Sequence, residues 1–233
     1  MPSACLGSKV ILMKSWNEIP YDIQRVISNT AVAPGAYILK FKKNYPFIAG
    51  QVLALGVSKE IEPRYYSIAS AENDELISIL YTERVEGKLT PMLSLLKPGE
   101  SIMVSKPFGT FTHVKPLPVF IAAGTGIAPF MSMLLTGKAS GVTLIHGAPY
   151  PEYFYYSDTL ISRLGENYIR CCSRCQPGCL FVGRVTDFVK QWNDLDVNRP
   201  YYLCGSAEMV VETRDILISR GAPASNINSE IYF

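Results

Sequence analysis

The sequence has little net charge and no fixed repeat. Its 22 Lys and Arg residues against 20 Asp and Glu residues leave a net charge of +2 over 233 residues. Proteins that bind nucleic acid through surface charge usually have a dense basic face, so we expect no nucleic-acid partner. Intrinsic disorder is excluded as well, because the hydrophobic content is 48% while the net charge is small.

Long apolar runs are also missing. The longest nearly apolar stretch, 116–135, is interrupted by glycine, proline and hydroxyl residues. That pattern favours a strand, a turn and a helix over a membrane span. The N-terminus lacks the basic start and apolar core of a secretory signal. We therefore expect a cytoplasmic protein without a membrane partner, whose six cysteines are free thiols in a reducing compartment.

The two halves of the chain differ in the spacing of their predicted elements. Short strands separated by turns predict a closed antiparallel β-barrel over 1–114. Strands that alternate with helices predict an α/β domain with a five-stranded parallel sheet over 115–233. The predicted strands are 21–32, 36–42, 51–57, 64–69, 76–85 and 101–106, then 119–123, 143–146, 168–172, 201–204 and 228–232.

A glycine-rich turn follows the first strand of the second half. The apolar strand 119–123 runs into Gly124-Thr125-Gly126, and a helix is predicted to begin directly afterwards. Glycines let a backbone approach a pyrophosphate, and a helix N-terminus offers free N–H groups to it. A proline stands where the common fingerprint has its third glycine. On this segment alone, a tight strand–helix turn without a ligand stays an alternative.

The strand 64–69 combines charge, aromatic rings and hydroxyl groups. Alternate residues of a strand share a face, so Arg64 and Tyr66 point one way while Tyr65 and Ser67 point the other. Such a set is able to hold an anion, an aromatic ring and a ring nitrogen. An ordinary strand with a surface arginine is the alternative.

Six motifs in order resemble the ferredoxin–NADP reductase family. The segment Arg64-x-Tyr66-Ser67, followed by Ala69-Ser70, resembles the flavin-binding signature of that family. The other motifs are Phe47–Gln51, Gly87-Lys88-Leu89-Thr90, Pro107–Phe111, Gly124–Pro129 and Cys204-Gly205. The resemblance extends from about residue 20 to the C-terminus. It implies a flavoenzyme with a barrel for FAD and a parallel sheet for NADP(H).

On the flavin side, the resemblance implies a role for each residue of two motifs. Arg64 would pair with the pyrophosphate of FAD, Tyr66 would pack on the isoalloxazine, and Ser67 would bond near N5. The implied FAD-binding set is Arg64, Tyr65, Tyr66, Ser67, Gly87, Lys88, Leu89 and Thr90.

On the nucleotide side, the resemblance implies that Ser173, Arg174 and Arg184 hold the 2′-phosphate of NADP(H). Two arginines and a hydroxyl suit a dianion, whereas an NAD site more often has an acidic residue at the ribose. Two solvated surface arginines are the alternative. The remaining implied contacts are Thr125, Gly126, Cys204 and Gly205.

The C-terminus resembles the family pattern of a carboxylate followed by an aromatic residue. In the family, the aromatic ring covers the isoalloxazine and yields to nicotinamide, while the Glu serves proton delivery. Glu230 and Tyr232 match this pattern, and Phe233 is an additional aromatic that would bind the cofactor. A last strand with plain edge packing is the alternative. The implied catalytic set is Ser67, Cys204, Glu230 and Tyr232.

The cysteines Cys171, Cys172, Cys175 and Cys179 invite a metal interpretation, which we reject. Cys171 and Cys172 are adjacent at a strand end and should point to opposite faces. The cluster also coincides with the implied phosphate site, so we expect no metal.

The resemblance leads to the expectation of a monomeric reductase. It would pass a hydride between NADP(H) and FAD, and single electrons between FAD and a ferredoxin or flavodoxin. Two alternatives stay open: an NAD(P)H-dependent reductase of free flavin or an oxygenase, and an electron-transfer subunit of a larger dehydrogenase complex.

Overall fold

The computed structural model describes residues 19–176, 178 and 180–232, apart from the side chain of Tyr232. The first half forms a six-stranded sheet in the order β4-β3-β6-β1-β2-β5, in which all neighbours are antiparallel. Its strands are β1 Tyr21–Ala33, β2 Ala36–Lys42, β3 Val52–Gly56, β4 Arg64–Ser67, β5 Leu76–Thr82 and β6 Ser101–Ser105.

The first sheet closes into the predicted barrel. A bridge between Ile68 and Ile79 joins the end of β4 to β5, which are the two edge strands. Closure removes both exposed edges. The barrel core is built from alternate residues of its strands, as in β2, where Leu39 and Phe41 are buried. A short helix, α1 (Thr90–Leu95), lies between β5 and β6.

The second half forms a parallel sheet in the order β10-β9-β8-β7-β11-β12. Its elements are β7 Val119–Ala123, α2 Ala128–Thr136, β8 Thr143–Ala148, α3 Ser157–Leu164, β9 Tyr168–Cys172, β10 Phe181–Val182, α4 Val185–Gln191, β11 Tyr201–Ser206, α5 Ala207–Ser219 and β12 Ile227–Tyr232. The predicted fold class is confirmed, but the count of five parallel strands is wrong by one. The missed strand β10 is two residues long, too short for a periodic pattern.

The central strand β7 separates two hydrophobic layers. Phe120 and Ala122 pack with α2 and α3, whereas Val119 and Ile121 pack with α4 and α5. Both faces of the strand are therefore buried, as expected for a parallel sheet covered by helices. No described helix is long and apolar enough to cross a bilayer.

The two halves share one hydrophobic cluster. Ala69 and Leu80 of the barrel pack in the same core as Phe130 and Met133 of α2. The Ser132 hydroxyl donates a 2.6 Å hydrogen bond to the Ser70 carbonyl oxygen, which ties α2 to the segment after β4. The boundary between 114 and 115 stays a prediction.

Candidate functional site

The strand order of the parallel sheet reverses at β7. The chain continues from β7 to β8 on one side, while β11 lies on the other side. Ligands of open α/β sheets bind at the carboxyl ends of the strands at such a point. Gly124–Ile127 forms a tight turn after β7. A Cβ atom on Gly126 would overlap the Cys204 carbonyl oxygen, so only glycine allows the ends of β7 and β11 to approach this closely.

The structure brings Ser67, Cys204 and Glu230 together. The Ser67 hydroxyl donates a 3.1 Å hydrogen bond to Oε2 of Glu230, across 163 positions of sequence. Glu230 lies opposite Cys204 in the register of β11 and β12. Ser67 and Cys204 are 2% and 0% exposed. The end of barrel strand β4 therefore meets the carboxyl end of the parallel sheet in a partly buried, polar contact.

Burial changes the acidity of Glu230. It raises the pKa of the carboxyl to about 7, because the charged form is desolvated, and the hydrogen bond from Ser67 opposes this rise. A carboxyl group with a pKa near neutrality both holds and releases a proton under ordinary conditions. That property suits general acid–base chemistry.

The flavin-side strand carries its predicted residues in different environments. Arg64 is exposed, and its Nη1 atom lies 3.0 Å from Oε2 of Glu62. Tyr65 packs edge-on against Phe108, with ring centroids 5.1 Å apart. Tyr66 is half-buried, and burial raises the pKa of its hydroxyl, which therefore stays neutral.

The turn Gly87–Thr90 is mostly exposed. Gly87 and Lys88 lie on the surface, whereas Leu89 is buried. The Thr90 hydroxyl oxygen accepts a 2.7 Å hydrogen bond from the Arg84 N–H group. This hydroxyl therefore holds the turn itself in shape, a role that sequence reasoning missed.

A cavity of about 230 Å³ lies along the carboxyl ends of β7, β8 and β9. Its lining includes Ser173 and Arg184, which were predicted to hold the 2′-phosphate, and Gly124 of the glycine-rich turn. Two acidic residues, Glu208 and Glu212, line it as well and were missed by sequence reasoning. A glutamate in the first turn of a helix suits the helix dipole, so the sequence offers no separate signal for Glu208.

Arg174 lies outside the lining of this cavity. Its guanidinium group is 5.7 Å from the ring centroid of Tyr150, and Nη1 lies 3.5 Å from the tyrosine hydroxyl. Tyr150 follows the carboxyl end of β8, and this position in an α/β sheet was the signal that could have identified it.

A disulfide joins Cys172 to Cys175, with Cα atoms 5.5 Å apart. The expectation of free thiols is therefore wrong for this pair, whose Cα separation suits a disulfide. The bond encloses Ser173 and Arg174. Cys171 packs in a different hydrophobic cluster from Cys172, in agreement with their predicted opposite faces. Cys179 lies outside the described residues.

His146 of β8 lies next to the glycine-rich turn. It is fully buried, with Nδ1 3.0 Å from the Tyr168 hydroxyl and Nε2 3.4 Å from the Gly124 carbonyl oxygen. Burial lowers the pKa of this imidazole to about 4, so it is neutral near pH 7. Its position supports the backbone of the turn.

The last strand, β12, ends at the first of the two C-terminal aromatic residues. The backbone of Tyr232 pairs with Ser206 at the end of β11. The side chain of Tyr232 and all of Phe233 lie outside the described residues, so their cover of the flavin stays a prediction.

Comparison with known proteins agrees with this architecture. A family model described as an oxidoreductase NAD-binding domain matches residues 120–215. The chain is 33% identical over 214 residues to a ferredoxin–NADP reductase of Azotobacter vinelandii, which covers 77% of this chain and 81% of that protein. It is 30% identical over 205 residues to the reductase component of propane 2-monooxygenase from Rhodococcus jostii. That match covers 78% of this chain but only 55% of the relative, so the chain spans about half of its length.

The fold is shared with a solved structure from Neisseria gonorrhoeae. That structure is a ferredoxin NADP+ reductase with bound FAD and NADP, and it superposes with a TM-score of 0.82 at 23% identity. The superposition covers 91% of this chain and 99% of the other. The barrel and the parallel sheet therefore have a known two-domain counterpart over nearly their full extent.

Proposed function

Since the chain belongs to the ferredoxin–NADP reductase family and is an oxidoreductase, we propose that it transfers a hydride between NADP(H) and a bound FAD. It then exchanges single electrons with a ferredoxin or a flavodoxin. The observation that carries the proposal is the contact of Ser67 with Glu230, opposite Cys204. It joins the strand with the flavin motif to the sheet with the dinucleotide turn.

The residues present fit FAD. Four consecutive positions of β4 offer a guanidinium group, two aromatic rings and a buried hydroxyl. A guanidinium fork suits the pyrophosphate, and the Tyr66 ring suits the isoalloxazine. Gly87 and Lys88, the first two residues of the 87–90 turn, are exposed and would face the phosphates. FAD supplies the redox chemistry, since it accepts a hydride and releases electrons one at a time.

Ser67 and Glu230 handle the proton in this proposal. Glu230 holds a proton at its carboxyl group near neutral pH, because burial raises the pKa to about 7. The Ser67 hydroxyl lies in hydrogen-bond contact with that carboxyl. With FAD bound, Ser67 would accept the Glu230 proton as it gives up its own hydroxyl proton. Cys204 and Gly205, near the end of β11, would contact the nicotinamide. The burial of Ser67 and Cys204 limits the access of bulk water to this point.

The cavity at the carboxyl ends of the strands takes the adenosine half of NADP(H). Ser173 and Arg184 supply a hydroxyl and a cation at its wall. Arg174 supplies a second cation beside the ring of Tyr150. Thr125 and Gly126 lie in the tight turn after β7, where backbone N–H groups suit a pyrophosphate. This set favours NADP(H) over NAD(H).

A second candidate function differs only in the electron acceptor. Two relatives are the reductase component of propane 2-monooxygenase and the electron transfer component of toluate 1,2-dioxygenase. The chain covers 55% and 58% of those proteins. An oxygenase component, or a larger dehydrogenase complex, is therefore the alternative to a separate ferredoxin or flavodoxin. We favour a monomeric cytoplasmic enzyme with a separate partner.

An acceptor panel tests the proposal. The purified protein should be yellow, should show bound FAD by absorbance, and should be bleached by NADPH under anaerobic conditions. Ferredoxin, flavodoxin, free flavin and ferricyanide are then offered with NADPH or NADH. Fast reduction of ferredoxin or flavodoxin with NADPH is expected. A colourless protein that takes up no flavin on reconstitution would overturn the proposal.

A further inference from the structure

The wall of the 230 Å³ cavity carries acidic as well as basic groups. Arg184 faces Glu208 across it, with Nη1 3.4 Å from Oε1. Their side chains are 66% and 79% exposed, so both remain open to solvent and to a ligand. A site built for a phosphate dianion alone has no need of a carboxylate at its cation.

The positions of Arg184 and Glu208 are set by the N-terminal ends of two helices. Arg184 is the N-cap residue of α4, and its N–H group donates a 2.9 Å hydrogen bond to Oδ2 of Asp187. Glu208 lies in the first turn of α5, where Ser206 is the N-cap. The two helices pack together, so the N-terminal ends of both present their side chains to the same cavity. The pair therefore belongs to the architecture of the cavity.

We propose that Glu208 is a specificity-determining residue that moderates the preference for NADP(H) over NAD(H). The inference rests on the proposed function, because it concerns the nucleotide of that same site. Glu208 competes with the 2′-phosphate for Arg184 and repels the phosphate dianion. The same carboxylate accepts a hydrogen bond from the ribose 2′-hydroxyl of NAD(H), the role that acidic residues take in NAD sites.

The ion pair between Arg184 and Glu208 is weak enough for the 2′-phosphate to compete with Glu208. An exposed ion pair is weak, so a phosphate that makes several contacts displaces Glu208 from Arg184. The carboxylate therefore lowers the affinity for the 2′-phosphate without abolishing it. Removal of its charge should tighten binding of a 2′-phosphorylated nucleotide by about two- to fivefold.

The second acidic residue of the cavity differs from Glu208. The Glu212 carboxylate lies 2.9 Å from Nζ of Lys190, on the neighbouring helix α4. Its charge is offset by that lysine, and it does not contact Arg184 through any described ion pair. Glu212 therefore separates a general effect of acidic charge in the cavity from a specific effect at Arg184.

Calorimetric binding to the FAD-loaded protein tests the inference without relying on turnover. The probes are adenosine 2′,5′-bisphosphate and adenosine 5′-monophosphate. In Glu208→Gln, the bisphosphate should bind about two- to fivefold more tightly, whereas the monophosphate should bind equally or more weakly. Glu212→Gln should change both affinities less than about twofold. High salt should shrink the gain, since both side chains are exposed.

The matched control is Asp215→Asn, which makes the same charge change on the same helix. Asp215 pairs with Arg214 at 3.6 Å and does not line the cavity. Unchanged affinities are expected there. In an Arg184→Ala background, Glu208→Gln should lose most of its gain. Flavin absorbance and melting temperature verify that each variant is folded.

The outcomes are distinguishable. Equal changes in Glu208→Gln and Asp215→Asn, or an unchanged ratio of the two affinities in Glu208→Gln, would overturn the inference and leave the proposed function standing. Binding of neither probe to the wild type or any variant would overturn the nucleotide part of the proposed function, and the inference with it. A gain for the bisphosphate alone, present only with Arg184, supports the inference.

Discussion

The two ends of the site differ in their exposure to solvent. At the buried end, Ser67 and Cys204 are almost inaccessible, and one hydrogen bond links Ser67 to Glu230. At the exposed end, Arg184 and Glu208 pair at 3.4 Å on the open wall of a cavity. Both ends lie at the carboxyl edge of the same parallel sheet. A single scaffold thus presents one partly buried contact and one solvent-exposed contact.

This difference divides the two tasks of a reductase. Desolvation disfavours charge, so the partial burial of Glu230 shifts the pKa of its carboxyl to about 7. In water, an ion pair is weak and screened by salt, so it is readily exchanged for a ligand. Changes at the buried end should therefore affect rate and pH dependence. Changes at the exposed end should affect nucleotide affinity and salt dependence.

The largest effect is expected for Glu230→Gln. This variant keeps the shape of the side chain but removes the titrating proton, so the proton-dependent rate should fall about 10²-fold at neutral pH. The rate of flavin reduction and the turnover number are measured by stopped-flow absorbance. The control is Glu166→Gln, at an exposed position, which should keep the wild-type rate. Wild-type rates in Glu230→Gln would show that the contact between Ser67 and Glu230 is not needed for catalysis.

The pH dependence sharpens the same point. Since the pKa of Glu230 is raised from 4.5 to about 7, the protonated form is present below pH 7 and is lost as the pH rises through it. A rate that needs this proton should fall over that interval. In Ser67→Ala, the hydrogen bond that lowers the pKa is removed, so the midpoint should move upward. A pH profile of turnover in both proteins measures the shift, and an unmoved midpoint would contradict the contact.

The free energy of unfolding should also depend on the protonation of Glu230. The unfolded chain ionises Glu230 near 4.5, whereas the folded chain keeps the proton until about 7. Between those values the folded state binds more protons, so this group makes the free energy of unfolding decrease as the pH rises. Glu230→Gln should remove that decrease. Urea titrations at pH 5 and pH 8 measure the difference for both proteins.

The sequence predicted the strands better than it predicted the site. The predicted bounds of β2 matched the observed ones. Buried and exposed residues alternate at the end of this strand, and such a two-residue period can be recognised in the local sequence. The short strand β10 was missed, since two residues carry no period. The contact between Ser67 and Glu230 spans 163 positions, so no local pattern encodes it. Resemblance to a family nominated both residues, and only the fold brings them into contact.

The exposed end was predicted less completely. Arg184 was nominated from the family pattern, whereas Glu208 was missed because its position suits an ordinary helix N-terminus. The disulfide of Cys172 was missed because the compartment argument assigned free thiols to the whole chain. His146 was missed because its partners, Tyr168 and Gly124, lie on other elements. In each case the decisive interaction either joins segments that are far apart in sequence or has no local sequence pattern that would predict it.

A smaller effect is expected for Arg184→Ala at the exposed end. Loss of a charge-assisted contact with the 2′-phosphate corresponds to about 10-fold weaker NADPH binding, at the low end because the site is solvated. NADH affinity should change little, and the loss should shrink at high salt. Titrations followed by flavin absorbance at two salt concentrations measure it. Equal losses for NADPH and NADH would assign Arg184 to another part of the nucleotide.

The smallest effect is expected for Cys175→Ser. The disulfide to Cys172 encloses Ser173 and Arg174, and it restricts the backbone of that short segment. Without the bond, the segment must be ordered when the nucleotide binds, which should weaken NADPH about two- to tenfold. The pH profile set by Glu230 should stay unchanged, because the bond lies at the exposed end. The measurement is the same NADPH titration, with mass spectrometry after thiol alkylation to verify the oxidation state. A shifted pH profile in this variant would show that the two ends of the site are coupled. The Ser67–Glu230 contact and the nucleotide cavity would then not act independently.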